Sequence, residues 1–121
     1  MIMGQLEYER PTIKVFVHPE FSKKDALNEL CFGIEEEGVP YDLSCELAYD
    51  AKNLAWEAGQ KSRLEVGLGI DPGSIVLTYG KLDKNAPLFE ISSRSPEPLL
   101  RAIGANAARL VKKLPFKPLS E

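Results

Sequence analysis

Residues 64–79 read LEVGLGIDPGSIVLTY, two aliphatic and β-branched runs separated by Asp71, Pro72 and Gly73. Asp-Pro-Gly is turn chemistry, because proline presets the first φ and glycine accepts the backbone angles that other residues resist. A link this short joins only antiparallel neighbours, so the strand over residues 74–79 runs against the strand over residues 64–70. Outward from this hairpin, residues 12–18 (TIKVFVH), closed by Pro19, predict a first strand, and residues 41–47 (YDLSCEL) alternate apolar and polar like a second. Between them Ser22 is expected to cap a helix carrying Leu27, Leu30, Cys31 and Ile34, which stops at Gly38. Asp50 is expected to cap a second helix carrying Ala51, Leu54, Ala55 and Ala58. Helical crossovers join parallel strands, so the fourth strand alone opposes the rest. A short strand over residues 88–91 follows. A last helix opens at Ser95-Pro96-Glu97, buries Leu99, Leu100, Ile103, Ala107, Leu110, Val111 and Leu114, and ends at Pro115. The predicted class is α/β, a three-layer α/β/α sandwich around a mixed five-stranded sheet with strand four antiparallel.

The chain has 121 residues, enough for one domain: a polar N-terminal tail over residues 1–11 and an α/β core over residues 12–116. With 44% hydrophobic and 27% charged residues it has the composition of a globular protein. A net charge of −3 and a pI near 5.3 argue against binding a phosphate backbone, so no nucleic acid is expected. Residues 1–10 lack the basic-then-apolar order of a signal peptide, and no segment has the length and apolarity of a membrane span. These features place the protein in the cytoplasm, away from membranes. Cys31 and Cys45 are expected to be reduced, buried thiols.

Nucleotide loops, nucleophile elbows and zinc-protease motifs are absent. Gly67 and Gly69 lie inside a strand, where close packing of a helix explains them better than a phosphate loop. The single histidine, His18, stands at the carboxyl end of the first strand, the edge at which open α/β sheets bind ligands. With Asp71 it defines a candidate ligand pocket. Glu35-Glu36-Glu37 breaks a local rule: carboxylates in the last turn of a helix face its negative end, at about 0.3–1 kcal/mol each. At 100° per residue, Glu36 points outward when Ile34 faces the core. An outward carboxylate can join the shell of a hard cation whose other oxygens come from a partner chain; a solvated acidic helix end is the bland alternative. Residues 1–60 carry a net −7 and residues 61–121 a net +4. Arg101, Arg109, Lys112 and Lys113 give the last helix a basic surface, either solvated or able to steer a partner. Trp56, among small residues, is an interface anchor or a lid over a loop.

Gly33-Ile-Glu-Glu-Glu-Gly-Val-Pro40, Ala55-Trp56, Ser62-x-Leu64-x-Val66-Gly67, Leu88-Phe89, and Arg101-x-x-Gly104-x-Asn106-Ala-Ala-Arg109-Leu-Val-Lys112 with Leu114-Pro115-Phe116 occur in that order. Together they resemble the small subunit of the diol and glycerol dehydratase reactivating factors. The resemblance implies a non-catalytic chaperone component that pairs with an ATPase large subunit. The complex releases damaged cobalamin from an adenosylcobalamin-dependent dehydratase, and the small subunit exchanges with the dehydratase medium subunit, which it resembles in fold. It further implies that Glu36 supplies a ligand to a magnesium ion shared at the large-subunit interface. ATP or ADP sits on the partner, and this chain alone binds no cofactor. Glu35, Glu37, Trp56, Asn106, Arg109 and Lys112 are the expected interface residues. Separated from its partner, such a subunit is expected to expose apolar surface and self-associate. Residues 1–30 and 90–98 depart from the family pattern.

Two other readings stand beside this one. A dehydratase medium subunit would be longer, and no D-x-H-x-x-G string is present for cobalt ligation. A stand-alone, homo-oligomeric α/β ligand-binding module would use the pocket near His18 and Asp71. Anticodon binding, known on an anticodon-binding-domain-like fold of this kind, is disfavoured by the acidic pI.

Overall fold

The turn at residues 71–73 forms as its residues require. Asp71 Oδ1 accepts the backbone N–H groups of Gly73 (2.8 Å) and Ser74 (2.7 Å), and the strands on either side pair antiparallel. The computed structural model describes residues 10–119. Its elements are β1 (Ile13–Val17), α1 (Lys24–Glu36), β2 (Tyr41–Cys45), α2 (Ala51–Lys61), β3 (Val66–Ile70), β4 (Ser74–Tyr79), β5 (Phe89–Ser92) and α3 (Glu97–Lys112). The sheet order is β2-β1-β3-β4-β5. β1 pairs parallel with β2 and β3, and β4 pairs antiparallel with β3 and β5. The predicted mixed sheet is therefore present, with β4 as its one reversed strand. Of the predicted tail, only Arg10 and Pro11 fall among the described residues.

Alternation along each strand divides the core in two. Ile13, Val15 and Val17 of β1, with Leu68 and Ile70 of β3 and Ile75 and Leu77 of β4, join Leu30, Ile34, Leu100 and Ile103 in the main core beneath α1 and α3. On the other face Phe16 packs with Leu54 and Ala58 of α2, while Ala51 and Ala55 meet Val76. That second layer is thin because β3 presents Gly67 and Gly69 to α2. A Cβ at Gly67 would fall on the backbone of Ala55 and Gly59, and one at Gly69 on that of Ala51 and Ala55. α1 and α3 approach each other the same way. A Cβ on Gly33 would meet the Arg101 carbonyl, and one on Gly104 the Leu30 carbonyl.

Three details differ from the sequence reading. Ser22 does not cap α1; the N-cap is Lys23, without a side-chain bond, and Ser22 instead offers its carbonyl to the Lys24 N–H. Asp50 does cap α2, accepting the Asn53 N–H at 2.9 Å. Leu114 is not on a buried helical face: α3 ends at Lys112 because Lys113 turns left-handed (φ 61°), and Leu114 is 44% exposed. Cys31 is buried as expected, but Cys45 is exposed, because β2 is an edge strand whose outer side no other strand covers among the described residues.

Gly69→Ala should lower stability by about 1–3 kcal/mol or more, since the added methyl can be housed only by moving α2 off the sheet. Gly73→Ala, whose Cβ would find its nearest neighbour at 3.6 Å, should change stability by less than about 0.5 kcal/mol. Urea melts of the two variants against the parent check the contrast.

Candidate functional site

α1 ends on three carboxylates with no basic residue in its last turn, and Gly38 follows at φ 79°, a left-handed stop that glycine adopts without strain. The cost of that acidic end is offset from outside the helix. Glu35 Oε2 accepts the Tyr41 hydroxyl at 2.7 Å. Glu36 Oε2 takes Arg101 Nη1 at 3.0 Å. Glu37 is gripped twice, by Arg109 Nε at 3.1 Å on Oε2 and by Lys112 Nζ at 2.8 Å on Oε1, while Lys112 also donates to the Glu37 carbonyl at 2.7 Å. The acidic half of the chain and its basic half thus meet each other across the α1–α3 contact. The basic face of α3 is neither simply solvated nor wholly free to steer a partner; Arg101, Arg109 and Lys112 are engaged within the chain.

Hydrogen bonds from Lys112 and then Arg109 hold the Glu37 carboxyl below the usual glutamate range. The bond to Glu35 pushes the Tyr41 hydroxyl well above an ordinary tyrosine, so Tyr41 stays a donor. Glu37 is largely covered, with 12% of its side chain exposed, whereas Glu36 keeps 48%. Glu36, like Glu35, therefore lies open to an approaching chain, and Glu37 does not. Among the described residues no cluster of three or more His, Cys, Asp or Glu side chains could hold a metal ion. One outward carboxylate fits a hard cation only when other oxygens come from elsewhere.

Arg101 organises this surface, and neither of its partners was legible in the sequence. Its Nη2 and Nε reach Glu29 Oε1 at 2.8 and 3.2 Å, and its guanidinium lies 5.6 Å from the ring centroid of Phe32, which is 43% exposed. Glu29 and Glu36 are seven residues apart and so share one helical stripe. That spacing is legible in sequence, but not that an arginine 65 residues beyond Glu36 would lie between them.

Asn106 is fully buried, and its amide is spent within the chain: Nδ2 donates to the Lys117 carbonyl at 2.9 Å and Oδ1 accepts the Lys117 N–H at 2.6 Å. This pins the segment after α3, so Asn106 is not offered to a partner as the sequence reading supposed. Trp56 is half-buried with Lys84 Nζ 5.5 Å from its ring centroid, which is the packing-over-a-loop alternative. His18 lines a cleft of about 340 Å³ with Phe21, Leu27, Leu43 and Cys45, but Asp71 does not. Besides closing the β3–β4 turn, Asp71 accepts the Ala51 N–H through Oδ2 at 2.8 Å; both its oxygens serve the fold. His18 Nδ1 accepts the Glu20 N–H at 3.1 Å.

The dehydratase medium subunit family matches residues 10–117. The propanediol dehydratase-reactivating factor small subunit of Salmonella typhimurium is 42% identical over 92 residues, covering 76% of this chain and 79% of that one. Two solved structures are similar throughout. A glycerol dehydratase reactivase chain has a TM-score of 0.88 at 37% identity, covering 92% of this chain and all of that one. A chain of a diol dehydratase-reactivating factor complexed with ADP and Mg2+ has a TM-score of 0.84 at 35% identity, covering 91% and all, respectively.

Glu37→Gln should destabilise the fold by about 1 kcal/mol, the worth of a charge-assisted bond reduced to a neutral one. Because the native carboxyl titrates below 4.5, its contribution is complete above that pH and fades as pH falls through the native value. Urea melts between pH 3 and 7 should show the gap between parent and variant constant above about pH 5 and closing below 4.5.

Proposed function

Because this chain belongs to the dehydratase medium subunit family, as a small subunit of a diol or glycerol dehydratase reactivating factor, we propose that it works by exchange. It leaves its ATPase large subunit and takes the position of the medium subunit on a cobalamin-dependent dehydratase, and the opened enzyme releases damaged cobalamin. What supports the exchange most is its membership of the medium subunit family over residues 10–117. A protein built on a medium-subunit scaffold is shaped for the surface that a medium subunit occupies.

The chain is non-catalytic in this reading, and ATP or ADP belongs to the large subunit. A diol dehydratase-reactivating factor holds ADP and Mg2+, and we extend that to the complex formed by this chain. Glu36 is the residue we assign to the shared ion. It is the most exposed of the three carboxylates that Arg101, Arg109 and Lys112 hold, and Arg101 retains Glu29 if Glu36 turns outward. A magnesium ion bound there would join the Glu36 carboxylate to oxygens supplied by the large subunit. Glu35 and Phe32 border the same end of α1, while Glu37, Arg109 and Lys112 brace it from behind. Free cysteines at Cys31 and Cys45 suit work in the cytoplasm. No helix among the described residues is long and apolar enough to cross a membrane.

Glu36→Gln should weaken association with the large subunit about tenfold or more, the loss of one charged ligand, with the circular dichroism spectrum unchanged. Titration calorimetry in magnesium buffer reads it. Equal affinities for parent and variant would overturn the assignment of Glu36.

A further inference from the structure

Among the described residues, one full row of β2 backbone groups has no strand to pair with. The Ile13 N–H donates to the Pro40 carbonyl and the Glu46 N–H to the Val17 carbonyl, both at 3.0 Å. In a parallel ladder alternate residues bond to the same neighbour, so the even-numbered residues of this strand face β1. Tyr41, Leu43 and Cys45 therefore point their N–H and C=O groups outward, where no described strand meets them. Their side chains share the face of Ile13, Val15 and Val17, with which they are in register, and so continue the main core to its edge. Leu43 is 47% exposed there, and Leu47 (81%) and Tyr49 (91%) extend the apolar surface beyond it. Edge strands are ordinarily blunted by lysine, proline or a bulge. YDLSC has none of these, and Asp42 is its single charge.

We infer that this edge pairs with β2 of a second copy of the chain, antiparallel, about a two-fold axis at Leu43. A two-fold normal to the sheet must place some residue opposite itself, because paired side chains share a face. Centred on Leu43, every outward residue of one strand meets an outward residue of the other: Tyr41 faces Cys45, Leu43 faces Leu43, and six backbone hydrogen bonds form. On the opposite face Asp42 stands across from Ser44, an uncharged side chain whose hydroxyl donates to Glu46 Oε2 of its own chain at 3.0 Å. A shift of one residue sets Asp42 against Asp42, and the opposite shift sets Asp42 against Glu46. Charge and hydrogen bonding therefore select the same register. With strands about 4.8 Å apart, the two β1 strands lie about 14 Å from each other.

The test uses the purified full chain. Light scattering after size exclusion should return about twice 13.4 kDa, and Leu43→Lys, which puts two like charges at the axis, should return one chain mass with an unchanged circular dichroism spectrum and a melting temperature that no longer rises with protein concentration. Register is read by oxidation in a Cys45→Ser background. Leu43→Cys should form an intermolecular disulfide, its Cα atoms lying about 5.5 Å apart, and Ser44→Cys should not. A monomeric parent chain, a dimer indifferent to Leu43→Lys, or equal cross-linking at 43 and 44 would each overturn the inference. So would a monomer that dimerises only after removal of residues 1–9, which would give the edge to the chain's own N-terminal segment.

Discussion

α1 and α3 touch through backbone, and most of the chemistry at the acidic helix end follows from that. At Gly33 and Gly104 a side chain on either helix would strike the carbonyl of the other, so the two axes approach more closely than side-chain packing allows. At that separation Arg101 reaches both Glu29 and Glu36, and Arg109 and Lys112 reach Glu37. The four ion pairs would be worth little as isolated surface contacts. Held between two helices, they neutralise a terminus that repels itself and fix how α1 sits over the sheet.

The same arrangement sorts side chains into those spent on the fold and those left for a partner. Glu37, Arg109, Lys112, Asn106 and Asp71 all bond within the chain. Glu36 and Phe32 remain on the outer surface beside an arginine that has a second carboxylate to hold. The proposed exchange fits this division, because a contact surface made of such side chains can change occupants without disturbing the bonds that define the domain.

Much of the architecture is legible from local chemistry. Three residues between strands force antiparallel pairing, helices between strands imply parallel crossovers, and Asp50 and Gly38 mark helix ends in ways that need no tertiary knowledge. Gly67 and Gly69 were readable as a place where a helix comes close, since a strand gains nothing else from two glycines on one face. The misreadings share a different cause. Asp71, Asn106 and the basic residues of α3 looked available because their partners, Ala51, Lys117 and the α1 carboxylates, are distant in sequence or carry no pattern. Cys45 looked buried because alternation shows which face a side chain takes and not whether the strand lies at an edge.

The sequence by itself determined the α/β class, the direction of every strand, the family, and the presence of an uncompensated acidic helix end, all of which depend on spacing over a few residues or on strings of residues. Only the tertiary structure decided what compensates that end, which of its three carboxylates is covered, and which strands lie at the sheet edges. Those outcomes depend on which distant groups come within 3 Å of each other, and distance between elements is set by how layers pack, which no local period encodes.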